Sequence, residues 1–60
     1  PLNIEGNPFQ VTAREFLAVA AIQAGNRERA VELLRANQAD PAAPVASRAR
    51  ATELLTAIGL

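Results

Sequence analysis

The sequence contains no cysteine, no histidine and no lysine, and these absences exclude most of the chemistry that a small protein performs. Without cysteine no disulfide can form, and without cysteine or histidine a structural zinc site is not expected. The single serine, the three threonines and the six carboxylates have no ordinary base or nucleophile to pair with. We therefore expect no catalytic residues, no bound cofactor and no metal.

The chain also has no excess of either sign of charge, since six arginines balance six acidic residues. A net charge of zero removes the electrostatic case for nucleic acid or an anionic membrane as a partner. The longest purely apolar run, Phe16 to Ile22, is far shorter than the roughly 20 residues that span a bilayer. Any membrane contact is expected to need a segment outside this chain.

A chain of 60 residues is a single small module, residues 1–60, or a piece of a larger protein. A chain of this size buries only about 60% of its unfolded surface. Much of its apolar content is alanine, which has little area to bury. We expect stability to come from neighbours, either other protomers or a longer parent chain. Because the chain begins at Pro1 rather than Met, we expect a processed or truncated product.

Local signals predict an all-α fold, a helical hairpin followed by a third capping helix. The predicted helices span about residues 8–24, 27–37 and 44–58. Asn7 and Pro8 form a helix start, with Asn as the N-cap and Pro at the first helical position. Gly25 fits the left-handed position that ends a helix, and Asn26 then caps the second helix.

A connector at residues 38–43 precedes the third helix, because a proline pushes the residue before it away from helical geometry. We expect Pro44 to be the first residue of this helix and Gly59 to end it. Its predicted inward-facing residues are Val45, Ala49, Ala51, Leu54, Leu55 and Ile58.

The first helix is apolar on nearly every side from Phe16 onward, which indicates packing on more than one side. One of its faces consists of Phe9, Ala13, Phe16, Leu17, Ala20 and Ala24. Most of the remaining surface is covered by Ala18, Val19, Ala21 and Ile22. The second helix is amphipathic, with charged residues toward water and an apolar face of Ala30, Val31, Leu33 and Leu34.

Small and apolar residues recur at fixed spacings through the hairpin. Leu17 and Ala18 are adjacent in the first helix, and Ala30 and Leu34 form an A-x3-L pair beyond the turn. This spacing resembles a tetratricopeptide repeat, W-x2-L-G-x2-Y then A-x3-F then P. Departures from that pattern are Arg14 at the Trp position, Ala21 at the Tyr position, Asn37, and Pro41 one residue early. The resemblance implies a hairpin packed through Leu17, Ala18, Ala21, Gly25, Ala30 and Leu34.

Over nearly its whole length, the chain also resembles a narrower family. The resemblance depends on LAVAAIQAGNRERAVELL and ADPAAPVASRARATELLTAIG. It is to the C-terminal parts of bacterial tetratricopeptide-like proteins that an N-terminal helix anchors in the inner membrane, a group that includes the ancillary subunit of the Sec translocon. It implies that the chain is the C-terminal fragment of a longer chain, a last repeat plus capping helix, at the periplasmic face of the inner membrane. A cytoplasmic location is the alternative.

The predicted function is a non-catalytic protein–protein interaction or assembly module. Its partner is expected to be protein, either a second copy or another chain, with Val19, Ile22, Arg48 and Arg50 as candidate contacts. One alternative is a small DNA-binding helix-turn-helix domain, since Ala21 and Gly25 have the A-x-x-x-G spacing of that turn. Against it, Glu28 and Glu32 would meet phosphates. A plain helical oligomerisation domain is the second alternative.

Overall fold

The computed structural model describes residues 8–59 as three α-helices, which confirms the predicted all-α fold. Helix α1 spans Pro8–Gln23, α2 spans Arg27–Ala39 and α3 spans Val45–Ala57. Helix α2 packs against both α1 and α3, whereas α1 and α3 barely touch each other. The predicted start at Pro8 is confirmed, and the expected cap at Asn7 lies outside the described residues.

The turn between α1 and α2 has the hydrogen-bond pattern of a Schellman motif. The Asn26 amide donates to the Ala21 carbonyl at 2.8 Å, and the Gly25 amide donates to the Ile22 carbonyl at 3.0 Å. Gly25 has φ +80°, the left-handed conformation predicted for it. The Asn26 side chain accepts from the Arg29 amide at 3.2 Å, so the predicted N-cap is confirmed.

The predicted bounds of about 8–24, 27–37 and 44–58 agree with the observed helices to within two residues. Helix α2 runs to Ala39 rather than residue 37, because the restriction from Pro41 falls only on Asp40, whose ψ is 118°. Pro44 is the N-cap of α3 rather than its first residue, with an extended ψ of 157°. Gly59 follows α3 with φ +93°, as its predicted role requires.

The core lies on both sides of α2. It consists of Ala18, Leu33, Leu34, Ala51 and Leu55, with Val31, Leu54 and Ile58 packed against it. The inward-facing set predicted for α3 is wrong at Val45, which is 81% exposed, and at Ala49, which is also exposed. Because each helical residue turns by about 100°, these two lie away from the Ala51 and Leu55 stripe that meets α2.

Leu17 is the one predicted hairpin residue that does not pack in the hairpin, and its assignment is wrong. It is 53% exposed, whereas Val11, Ala18 and Ala21 are buried against α2. Leu17 and Phe16 both lie on the solvent side of α1. The neighbouring side chain that packs against α2 is therefore the small Ala18. The small size of Ala18 and Ala30, both fully buried, allows the two helices to approach closely at their contact.

Candidate functional site

An exposed apolar surface lies along α1, on the side opposite α2. Its members are Phe9, half-buried Ala13, Phe16, Leu17 and Ala20, with Ala24 in the turn that follows α1, and we call them the outer face of α1. Phe9 and Phe16 are 74% and 73% exposed. Two phenylalanines bury large areas when covered, so their exposure together is more informative than one exposed leucine. A contiguous apolar surface of this kind is typical of a site where another protein segment binds.

A shallow groove between α1 and α3 borders this face. Its lining residues are Thr12, Glu15, Phe16, Val19 and Arg50. Arg50 donates two hydrogen bonds to the Glu15 carboxylate, at 2.9 and 3.0 Å, and this ion pair is the main link between the two helices. The donated hydrogen bonds also raise the pKa of Arg50 above its ordinary value. The pair therefore holds one edge of the groove at a fixed spacing.

On the other side of α1, a polar cluster crosses the hairpin. The Arg14 guanidinium donates to the Asp40 carboxylate at 2.6 Å and to the Asn37 side-chain oxygen at 3.3 Å. Asn37 is buried, and its amide donates to the Val11 carbonyl at 3.0 Å. The hydrogen bond from Arg14, followed by one from the Ala42 amide, lowers the pKa of Asp40. Every group here is satisfied by a partner, so this cluster fixes the packing of α1 on α2.

Two of these residues, Arg14 and Asn37, stand where the sequence departs from the tetratricopeptide pattern, and the structure brings them into contact. The contact was not predicted. A signal was present, because Asn37 lies three and four residues beyond Leu34 and Leu33 on the apolar face of α2. A buried asparagine requires hydrogen-bond partners, and the cation of Arg14, at the position that the repeat gives to tryptophan, could supply one.

The groove between α2 and α3 is more polar than the groove between α1 and α3. Three of its polar side chains, Gln38, Thr52 and Thr56, form hydrogen bonds within the chain. The Gln38 amide donates to the Thr52 hydroxyl at 2.9 Å. The Thr52 hydroxyl donates to the Arg48 carbonyl and the Thr56 hydroxyl donates to the Thr52 carbonyl. These bonds engage the side chains of Gln38, Thr52 and Thr56 within the chain.

The structure places the predicted hairpin residues other than Leu17 where α1, the turn and α2 meet. Ala18, Ala21, Ala30 and Leu34 are buried, and Gly25 makes the turn. The predicted partner contacts do not form one surface, however. Val19 borders the groove between α1 and α3, whereas half-buried Ile22 lies near Gly25 and Ile58 at the end of the hairpin.

The two arginines named as partner contacts are both engaged within the chain. Arg48 donates to the Ala43 carbonyl at 3.0 Å and to the Pro41 carbonyl at 3.4 Å, so it holds the connector onto α3. Arg50 is paired with Glu15. Both arginines of α3 are therefore engaged in contacts within the chain.

The arginines at the start of α2 are the ones that a DNA-binding helix would use. Arg29 pairs with Glu32 at 2.7 Å, and Arg27 donates to the Gly59 carbonyl at 3.3 Å.

In residues 8–59 no group of three or more histidine, cysteine, aspartate or glutamate residues is placed to hold a metal ion. Over the same residues no helix is long and apolar enough to cross a membrane.

No protein-family model, curated protein or solved structure matches this chain.

Proposed function

We propose that this chain is a non-catalytic helical module that binds another protein segment through the outer face of α1. The observation that carries the proposal is the exposure of Phe9, Phe16 and Leu17 on one side of a helix whose other side is buried. Covering these side chains would remove apolar surface from water at about 25 cal/mol per Å². A binding partner therefore supplies stability that three short helices lack by themselves.

The arrangement of the helices supports a repeat-like module. Helix α2 packs between α1 and α3, and each helix contacts mainly its neighbour in the chain. This serial packing is typical of helical repeats, in which each unit buries its apolar face against the next. The first helix of such a series has one side that no other helix of the series covers, and in this chain that side is the outer face of α1. The tetratricopeptide assignment and the periplasmic location are part of the same proposal, carried by the resemblance.

The polar groups support the non-catalytic part of the proposal. Arg14, Asn37 and Asp40 satisfy one another, and Glu15 is occupied by Arg50. A catalytic site needs a nucleophile within reach of a base, whereas the carboxylates of Asp40 and Glu15 are each paired with an arginine.

Site-specific photo-crosslinking tests the proposal. A photo-reactive phenylalanine analogue replaces Leu17 in one variant and Glu28, which is exposed on α2, in a control variant. In cells that express the protein, the Leu17 variant should form covalent adducts with one defined protein segment, identified by mass spectrometry. The Glu28 variant should form none. Equal adduct patterns at the two positions, with both variants helical by circular dichroism, would refute the proposal.

A further inference from the structure

We propose that the outer face of α1 binds a second copy of this chain in an antiparallel arrangement, with Phe9 of each copy packed against Ala20 of the other. This inference names the partner of the proposed docking face and so rests on the proposed function. It depends on the order of large and small side chains along the face and on the absence of charge there.

Four of the six outer-face residues, Phe9, Ala13, Phe16 and Ala20, alternate between large and small in a self-complementary order. Phe9 and Ala20 lie at equal distances on either side of a point between residues 14 and 15, and Phe16 and Ala13 lie symmetrically about the same point. A two-fold axis through this point therefore puts each phenylalanine level with an alanine of the other copy. Facing large and small side chains can interdigitate and bring the helices close together.

The same four residues also point in one direction. At about 100° per residue, Phe9, Ala13, Phe16 and Ala20 fall within a sector of about 60° around α1. Phe9 and Ala20 lie near the middle of the sector, so they would meet across the interface. Leu17 from each copy would lie along the same edge of the contact. A two-fold contact uses the same patch on both chains, which requires this kind of self-complementarity.

No charged residue lies on the outer face. The charged neighbours in the middle of α1 are held elsewhere, Arg14 by Asp40 and Glu15 by Arg50. Pairing two copies therefore neither buries an unpaired charge nor places like charges opposite each other. A membrane surface fits less well, because helices that lie on anionic lipid carry many basic residues beside their apolar face. Arg14 is the only basic residue of α1.

A size-exchange experiment tests this arrangement. Phe9→Ala removes two large side chains from the symmetric contact, and Ala20→Phe adds two. Each single variant should raise the dimer dissociation constant, measured by sedimentation equilibrium, by at least about tenfold. The double variant Phe9→Ala/Ala20→Phe should restore it to within about threefold, because the two positions exchange places across the two-fold axis. Circular dichroism should show equal helix content, since both positions face away from α2.

Disulfide trapping gives a second readout that does not depend on affinity. The chain has no cysteine, so a Phe9→Cys chain and an Ala20→Cys chain can be mixed under mild oxidation. The mixed disulfide should form preferentially. A Phe9→Cys chain by itself should crosslink poorly, because two copies of that position lie about 16 Å apart along the helices, beyond disulfide reach.

The outcomes separate this inference from the proposed function. A chain that stays monomeric from micromolar to millimolar concentration overturns the second-copy arrangement. In that case adducts of the Leu17 variant with a different protein would leave the proposed function standing. A dimer whose affinity the double variant does not restore, or equal trapping of matched and mismatched cysteines, also overturns the arrangement. Absence of both dimer and adducts overturns the two proposals together.

Discussion

Arg14 in the middle of α1 lies 2.6 Å from Asp40 at the end of α2, across 26 residues of sequence. The Asp40 side chain is only 10% exposed, and its other carboxylate oxygen accepts the Ala42 amide at 2.8 Å. One carboxylate thus joins α1, the end of α2 and the connector to α3. Removing one partner of an ion pair with so little exposure leaves the other charge without its counter-charge, which destabilises the fold.

Asp40→Asn should lower the melting temperature, because the variant keeps an oxygen for the Ala42 amide and loses the charge that holds Arg14. Glu28→Gln is the matched control, since Glu28 is exposed on the water-facing side of α2. Thermal melts followed by circular dichroism at neutral pH should show the loss in the Asp40 variant alone. Equal melting temperatures for both variants would show that the ion pair does not stabilise the hairpin.

The same carboxylate should make stability depend on pH. The hydrogen bond from Arg14 lowers the pKa of Asp40 in the folded chain below the ordinary value of 3.8. The unfolded chain therefore takes up the proton first, so the stabilisation is full above pH 3.8 and is lost as pH falls through the folded pKa. The difference in melting temperature between the natural chain and Asp40→Asn should be constant near neutral pH and should shrink in acid. A difference that grows in acid would contradict this assignment.

Ala18→Leu should overpack the contact between α1 and α2. Ala18 is fully buried, and adding a larger side chain to a filled core costs about 1–3 kcal/mol of unfolding free energy. Leu17→Ala is the neighbouring control, since Leu17 is 53% exposed and its truncation should change stability by less than about 1 kcal/mol. Urea unfolding measures both. Comparable losses at the two positions would mean that α1 is rotated from the orientation described.

Gly25→Val should destabilise the hairpin through the backbone alone. Gly25 has φ +80°, and a Cβ at this position would meet no atom within 4 Å. The cost therefore arises from left-handed geometry, about 1–2 kcal/mol for an ordinary residue and less for asparagine. Urea unfolding of Gly25→Val and Gly25→Asn should rank the valine variant as less stable. Equal stabilities would indicate that the turn relaxes to another conformation.

Sequence reasoning predicted the parts of the fold that depend on neighbouring residues. Pro8, Gly25 and Asn26 act through local geometry and hydrogen bonds, and the structure confirms the roles expected of them. Boundaries near Pro41 and Pro44 shifted because each proline restricts the single residue before it, and a pattern alone does not say how far the preceding helix continues.

Helical periodicity could not decide which side of α1 meets α2, and only the repeat-like spacing favoured the side with Ala18 and Ala21. Both sides are apolar, so helical periodicity identifies two faces without ranking them. The general tendency of phenylalanine to be buried would favour the face with Phe9 and Phe16, yet α2 packs on the small side chains around Ala18. The contacts of Arg14 with Asp40 and of Glu15 with Arg50 join residues far apart in sequence. Only the folded arrangement reveals them.

Sedimentation velocity over a range of concentrations tests the outer face of α1 most directly. Three chains are compared: the natural sequence, Phe16→Asp on the outer face, and Val45→Asp, which alters an equally exposed apolar residue of α3. The natural chain and the Val45 variant should sediment faster as concentration rises, and the Phe16 variant should not. Loss of concentration dependence in both variants, or its absence from the natural chain, would contradict self-association through this face.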